Sequence, residues 1–315
     1  MMGGLMMRKT FLWAAALWLG GSAVVANAAT QAYWRHEEGA AGALIPAGPD
    51  TVLDSSGNGN HMRTFNPTFT SGTYSSTVSP VPLRSGLTNN FSLDFGPGGD
   101  DAGLNDDNYT DNKPINDDLF SAVTFEMAFK MDAVSGWQAV FGEDGKPLGN
   151  QPGEPDSPVP PIKFLIRADN FPDNIPNQLF VEWIDGDGDI HFLANRETVV
   201  ANQWYHVAFT LNAADARLYV AKENTVYKQV DAKLGEDYAG ASGEVIVSEP
   251  LGYSIGRGMF NNNVADWADA HIDEVRISDA ALAPGDFLFA AVPEPTGLTL
   301  AAAAVAACGL RRFRR

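Results

Sequence analysis

The chain has 315 residues, 45% of them hydrophobic, and sets 39 aspartates and glutamates against 21 lysines and arginines, a net charge of −18. Such a surface excludes nucleic acid and anionic membrane as charge-held partners, because both must be neutralised by lysine and arginine, and it suits metal cations and neutral or basic partners. The one cysteine, Cys308, lies near the C-terminus, so disulfides, thiol nucleophiles and cysteine-built zinc sites are excluded from the body of the chain, which at about 260 residues buries a sufficient core without staples.

In chain order, Arg8 and Lys9 precede an apolar run from Phe11 to Val25, and Ala26-Asn27-Ala28 follows. A basic start, a short apolar run and small residues two apart describe a secretory signal peptide, 1–28, cleaved after Ala28 by the export machinery. The run is short of the ~20 residues that span a bilayer, which weighs against an uncleaved anchor.

From 29 to 290 helical periodicity is nearly absent. Tyr33–His36 and Phe91–Phe95 read as strands. In Val123–Met131, Val123, Phe125, Met127, Phe129 and Met131 point one way and Thr124, Glu126, Ala128 and Lys130 the other, predicting a half-buried strand. Trp137–Phe141, Ile162–Arg167, Leu179–Ile184, Ile190–Ala194, Trp204–Leu211, Arg217–Val220, Val226–Val230, Tyr253–Ile255 and His271–Ile277 continue the series. Gly98–Asp118, rich in Asp and Asn, and the proline-rich Glu143–Pro161 read as loops. A dozen short strands separated by turn residues predict a single all-β sandwich or jelly roll. Asp185-Gly186-Asp187-Gly188-Asp189 joins two strands. Its Asp-Gly steps favour a hairpin turn; as a calcium loop it lacks the EF-hand glycine and glutamate, since Ile190 and Arg196 stand at those places.

At the far end, Val292-Pro293-Glu294-Pro295 leads into the apolar Thr296–Leu310 and then Arg311, Arg312, Phe313, Arg314 and Arg315. Arginines behind an apolar run resist translocation, and the run is short for a permanent span. Together the three parts, 291–315, resemble the PEP-CTERM sorting signal. The resemblance implies transient anchoring in the inner membrane by a C-terminal hydrophobic helix. It further implies processing near Pro293, Glu294 and Pro295 by the membrane protease exosortase, and delivery to the cell surface or extracellular matrix. The two ends hold six basic residues and one acidic residue; without them 15 basic residues face 38 acidic ones, a net −23.

The central domain carries Tyr33-Trp34-Arg35-His36-Glu37-Glu38, Asp54-Ser55-Ser56-Gly57-Asn58-Gly59-Asn60-His61, Gln203-Trp204-Tyr205-His206-Val207-Ala208-Phe209-Thr210, Tyr253-Ser254-Ile255-Gly256-Arg257 and His271-Ile272-Asp273-Glu274-Val275-Arg276-Ile277-Ser278. In that order they resemble the LamG-like branch of the concanavalin A-like lectin/glucanase jelly rolls, over Tyr33–Phe287. Some relatives hold one Ca²⁺ where the early Asp-Ser-Ser-Gly-Asn-Gly-Asn loop meets the late Ile-Asp-Glu strand. Carried over, the candidate ligands are Asp54, Asn58, Asn60 and Asp273. The alternative is that Asp54 and Asp273 only cap turns. Alternation places Asp273 on the face of Val275 and Ile277, where a carboxylate needs a partner or a metal.

The same superfamily includes glucanases with paired carboxylates projecting into one cleft. Here Glu182 and Asp185 fall on opposite strand faces, Asp273 and Glu274 are adjacent, and the five histidines sit in no catalytic motif. Trp183 fits a sugar-stacking platform or the core. The sequence therefore predicts an exported surface or matrix protein, not an enzyme, whose jelly roll binds extracellular polysaccharide or a surface protein. Two alternatives stand beside it: a purely structural matrix component, and a polysaccharide-cleaving enzyme.

Overall fold

The computed structural model describes residues 28–64, 72–96, 108–144, 160–223, 225–246, 252–260 and 263–289. The sorting residues Pro293, Glu294, Pro295, Arg311, Arg312, Arg314 and Arg315, and the predicted signal peptide apart from Ala28, lie outside them. Among the described residues no helix is long and apolar enough to cross a membrane.

The strands in chain order are β1 (Thr30–Trp34), β2 (Gly48–Val52), β3 (Met62–Thr64), β4 (Thr73–Ser75), β5 (Ser92–Phe95) and β6 (Asn108–Tyr109). Then come β7 (Ala122–Met131), β8 (Gln138–Asp144), β9 (Ile162–Ile166), β10 (Gln178–Ile184), β11 (Ile190–Thr198) and β12 (Trp204–Asn212). The last are β13 (Asp215–Lys222), β14 (Lys228–Leu234), β15 (Gly252–Ile255), β16 (Gly258–Phe260), β17 (Asn263–Ala265) and β18 (Ala270–Ser278). The first sheet runs β14-β13-β12-β7-β18-β5-β4, with β1 also paired to β18. The second runs β11-β10-β9-β8-β15-β6-β3-β2, and β16 and β17 form a separate hairpin. The two sheets make the all-β jelly-roll sandwich that the strand pattern predicts.

Alternation explains the core between the sheets. Val123, Phe125, Met127, Phe129 and Met131 of β7 face inward with Tyr205, Val207, Phe209 and Leu211 of β12, against Leu179, Val181 and Trp183 of β10. Phe125 lies 5.9 Å from both Phe141 and Phe164, and Phe141 stacks on Tyr253 at 5.8 Å, so aromatic rings from both sheets fill the centre. Trp34 packs there too, donating its indole N–H to the Asn60 carbonyl at 2.7 Å.

Four local expectations are corrected. The first strand stops at Trp34, and His36 is buried in a left-handed turn at φ 62°. The predicted loop Gly98–Asp118 contains β6 and a short 3-10 turn, Pro114–Asp117. β8 runs through Asp144, into the segment read as proline-rich loop. Finally, β7 is buried on both faces, because Thr124, Glu126 and Ala128 are inaccessible as well. A strap made of residues 79–89 and 280–289 covers that outer face. Leu282 N–H donates to Thr124 Oγ1, Leu288 N–H donates to the Glu126 carboxylate, and Val81, Leu83, Leu288 and Phe289 pack on Ala128 and Trp204.

Candidate functional site

The loop after β2 brings three of the predicted calcium ligands together. Asp54 Oδ1 accepts the backbone N–H groups of Tyr33 (2.9 Å) and Ser56 (2.8 Å), and Oδ2 accepts Ser56 Oγ (2.7 Å) and Asn60 N–H (2.9 Å). Asn58 Nδ2 donates to the carbonyls of Thr30 and Gln31, and Asn60 Nδ2 also donates to Gln31. Asn60 Oδ1 accepts Ile115 N–H at 3.0 Å. The loop is thereby closed on β1 by its own side chains.

Asp273 lies apart from this group. β18 carries a bulge between Asp273 and Arg276, with Glu274 at φ 53°. The extra residue flips the alternation: Ile272, Val275 and Ile277 face the core, whereas Asp273 pairs with Ala128 and turns to the strap side. Asp273 and Val275 are thus on opposite faces, contrary to the alternation reading. The Asp273 carboxylate is fully buried and accepts Ser79 N–H (3.2 Å) and Asn89 Nδ2 (2.7 Å). Burial, then the charge of Glu274, pushes its pKa well above the usual carboxylate range. Glu274 accepts the Tyr33 hydroxyl and pairs with Arg35, whose guanidinium also reaches the Thr88 carbonyl of the strap.

One juxtaposition had no sequence signal. Ser79 Oγ sits 2.6 Å from His206 Nε2, beside Asp273. In a nucleophilic triad the carboxylate orients the imidazole. Here Asp273 accepts the serine's backbone N–H instead, Phe289 covers the His206 ring at 4.4 Å, and burial lowers the His206 pKa to about 4. The group is a packed junction between strap and sheet.

Other acidic residues are anchors. Glu182 pairs with Lys163 across the strands at 3.3 Å. Asp185 Oδ1 accepts Asp187 and Asp189 N–H at 3.0 and 2.9 Å, and Oδ2 lies 2.7 Å from His191 Nε2, so its carboxylate closes the Asp-Gly turn.

Accessible aromatic surface occurs on the outer side of the second sheet. Trp137, just before β8, is 40% exposed, and Phe171, between β9 and β10, is 47% exposed. The Arg167 guanidinium lies 4.7 Å from the Trp137 ring centre, 4.9 Å from Phe171 and 4.6 Å from Phe180. Phe192 stacks on Phe180 at 4.7 Å beneath them. Asp169, with 44% of its side chain exposed, takes Arg167 bidentately at 2.8 and 2.6 Å, which holds its carboxyl below the usual range. Two partly exposed rings are therefore set around a fixed guanidinium and carboxylate. Such a surface can stack on apolar faces of a ligand and exchange hydrogen bonds at its edge. Of the two readings the sequence offered for Trp183, the structure shows the core one, with the ring packed on Phe209 and Tyr238.

No curated protein matches this chain. Among solved structures, the binding domain of Botulinum Neurotoxin DC in complex with SialylT is 12% identical at a TM-score of 0.50, over 82% of this chain and 49% of that chain. This chain thus spans about half of the toxin chain it matches. Domain 4 of AbnA, a GH43 extracellular arabinanase from Geobacillus stearothermophilus, in complex with arabinotriose, is 12% identical at a TM-score of 0.44, over 82% and 95% of the two chains. The Ruminococcus gnavus IT-sialidase CBM40 bound to alpha2,3 sialyllactose is 14% identical at 0.39, over 53% and 80%. The family Laminin_G_3 matches residues 103–286, a stretch that takes in the strands from β6 to β18. With a family match over more than half its length and a two-sheet jelly roll, this chain belongs to the Concanavalin A-like lectin/glucanases superfamily.

Proposed function

We propose that this chain is an exported surface or matrix protein whose jelly roll binds a glycan through the Trp137–Arg167–Phe171 surface, without catalysing a reaction. The observation that supports it best is the pair of exposed rings fixed around Arg167 and Asp169. The toxin binding domain with the same fold is itself in complex with SialylT.

Two features at the ends of the described chain fit export and trimming. Ala29 N–H donates to Asp279 Oδ1 at 2.7 Å. Cleavage after Ala28 by the export signal peptidase would place a new α-ammonium on that carboxylate. At the other end Phe287, Leu288 and Phe289 are packed against the strap side of the first sheet. A cut by exosortase near Pro293–Pro295 would spare them. Intact-mass analysis of the released protein is expected to show a chain starting at Ala29 and lacking Arg311–Arg315; retention of either end overturns the sorting part of the proposal.

Retention on immobilised extracellular polysaccharides tests the binding part. Trp137→Ala and Phe171→Ala are each expected to weaken it about tenfold or more, within the ~1–3 kcal/mol that a stacked aromatic supplies. Equal retention by both variants would remove this surface from the binding site. A wild-type chain retained by no polysaccharide would favour the structural matrix role, and release of reducing sugar would show an enzyme.

A further inference from the structure

The outer side of the first sheet gathers a donor set distinct from the aromatic surface of the second sheet. His271 and Asp94 are direct cross-strand partners on β18 and β5, and Asp132 immediately follows β7 on the other side of β18. One ligand atom from each of the three side chains lies within 4.8 Å of the other two. His271 Nε2 stands 3.2 Å from Asp132 Oδ2 and 3.9 Å from Asp94 Oδ2. Two ligands of one tetrahedral zinc, each bound at ~2.1 Å, stand about 3.4 Å apart, so the spacing needs only side-chain adjustment.

The orientation of His271 is a second, independent pointer. The Ser92 hydroxyl donates its proton to the Thr77 carbonyl at 2.8 Å, so toward His271 Nδ1, 3.4 Å away, it can only accept. Nδ1 then carries the ring proton and Nε2 presents a bare lone pair to two carboxylates. The residue is 6% exposed, and such burial disfavours the imidazolium form that would relieve the repulsion. Lys130 takes the other oxygen of Asp132, Oδ1, at 3.0 Å, and among the described residues no lysine or arginine pairs with Asp94. A lone pair and an uncompensated carboxylate directed at one point call for a cation between them. An imidazole with two carboxylates suits a zinc-type transition ion, whereas calcium takes all-oxygen shells. Ser92 would act as the outer partner that fixes the ligating tautomer.

We propose that Asp94, Asp132 and His271 bind one zinc-type divalent ion, clamping β5, β7 and β18 together. The untagged full chain is titrated with Zn²⁺ by calorimetry, and bound metal is counted after dialysis. One zinc per chain is expected, with a raised melting midpoint that a chelator reverses. His271→Gln is expected to abolish binding. Asp94→Asn, at a half-exposed carboxylate, is expected to fold normally and weaken binding at least tenfold. Absence of saturable zinc binding overturns the proposal. So does binding unchanged in Asp94→Asn and His271→Gln, or displacement of zinc by equimolar Ca²⁺.

Discussion

Asp273 shows how burial, with a neighbouring carboxylate, assigns a titration. Its folded pKa is raised by desolvation and by Glu274. For a group whose folded pKa lies above the unfolded value of about 4, the stabilising contribution is complete below that value and is lost as pH rises through the folded pKa. Asp273→Asn, neutral throughout, is therefore expected to match or exceed the wild type in melting midpoint at pH 8 and to lose that advantage by pH 4. A difference that does not change with pH would contradict the buried-carboxylate reading. Asp54 is a carboxylate that four donors hold. Asp54→Ala leaves the Asn60 and Tyr33 amides without their acceptor and is expected to cost about 2–3 kcal/mol in chemical denaturation, with or without calcium. That Asp54, Asn58 and Asn60 come together was legible because they share one short polar loop. Trp137 and Phe171 were not, because exposure of an aromatic depends on what covers it, and Trp183 carries the same residue type into the core.

At the scale of elements, the strap makes a two-sided interior of the first sheet. Glu126 ties three elements: Arg276 on β18 contacts one oxygen and Leu288 N–H the other, while Glu126 itself sits on β7, fully buried. Glu126→Gln leaves the Arg276 guanidinium without its anion and is expected to destabilise by about 3–5 kcal/mol. Phe289→Ala opens the space over His206 and is expected to cost about 3 kcal/mol and to raise binding of an apolar dye; full stability in that variant would mean the strap merely rests on the sheet. Neither effect was legible in the alternation of β7. Period two tells which side chains share a face, but the partners of the second face come from distant chain segments, more than 150 residues away in the Glu126–Leu288 bond. The bulge at Asp273–Glu274 was equally hidden, since one extra residue in the ladder leaves no mark in composition.

At the scale of the whole molecule, the excess of acidic side chains dominates. A body carrying a net −23 repels itself when compact. Raising ionic strength from low to ~0.5 M is expected to stabilise the domain by about 1 kcal/mol, some 2–4 °C in melting midpoint at this size; a falling midpoint would mean that ion pairs such as Arg35–Glu274 outweigh the repulsion. By itself the sequence determined the all-β class, the inward face of β7, the acidity and the absence of cysteine chemistry, since each follows from residue type or from the two-residue period of a strand. Tertiary structure alone decided which outer faces are covered, which tryptophan is accessible, and that Asp94, Asp132 and His271 converge. Those outcomes depend on the register of strands far apart in the chain, and a local pattern contains no information on which distant strand will be its neighbour.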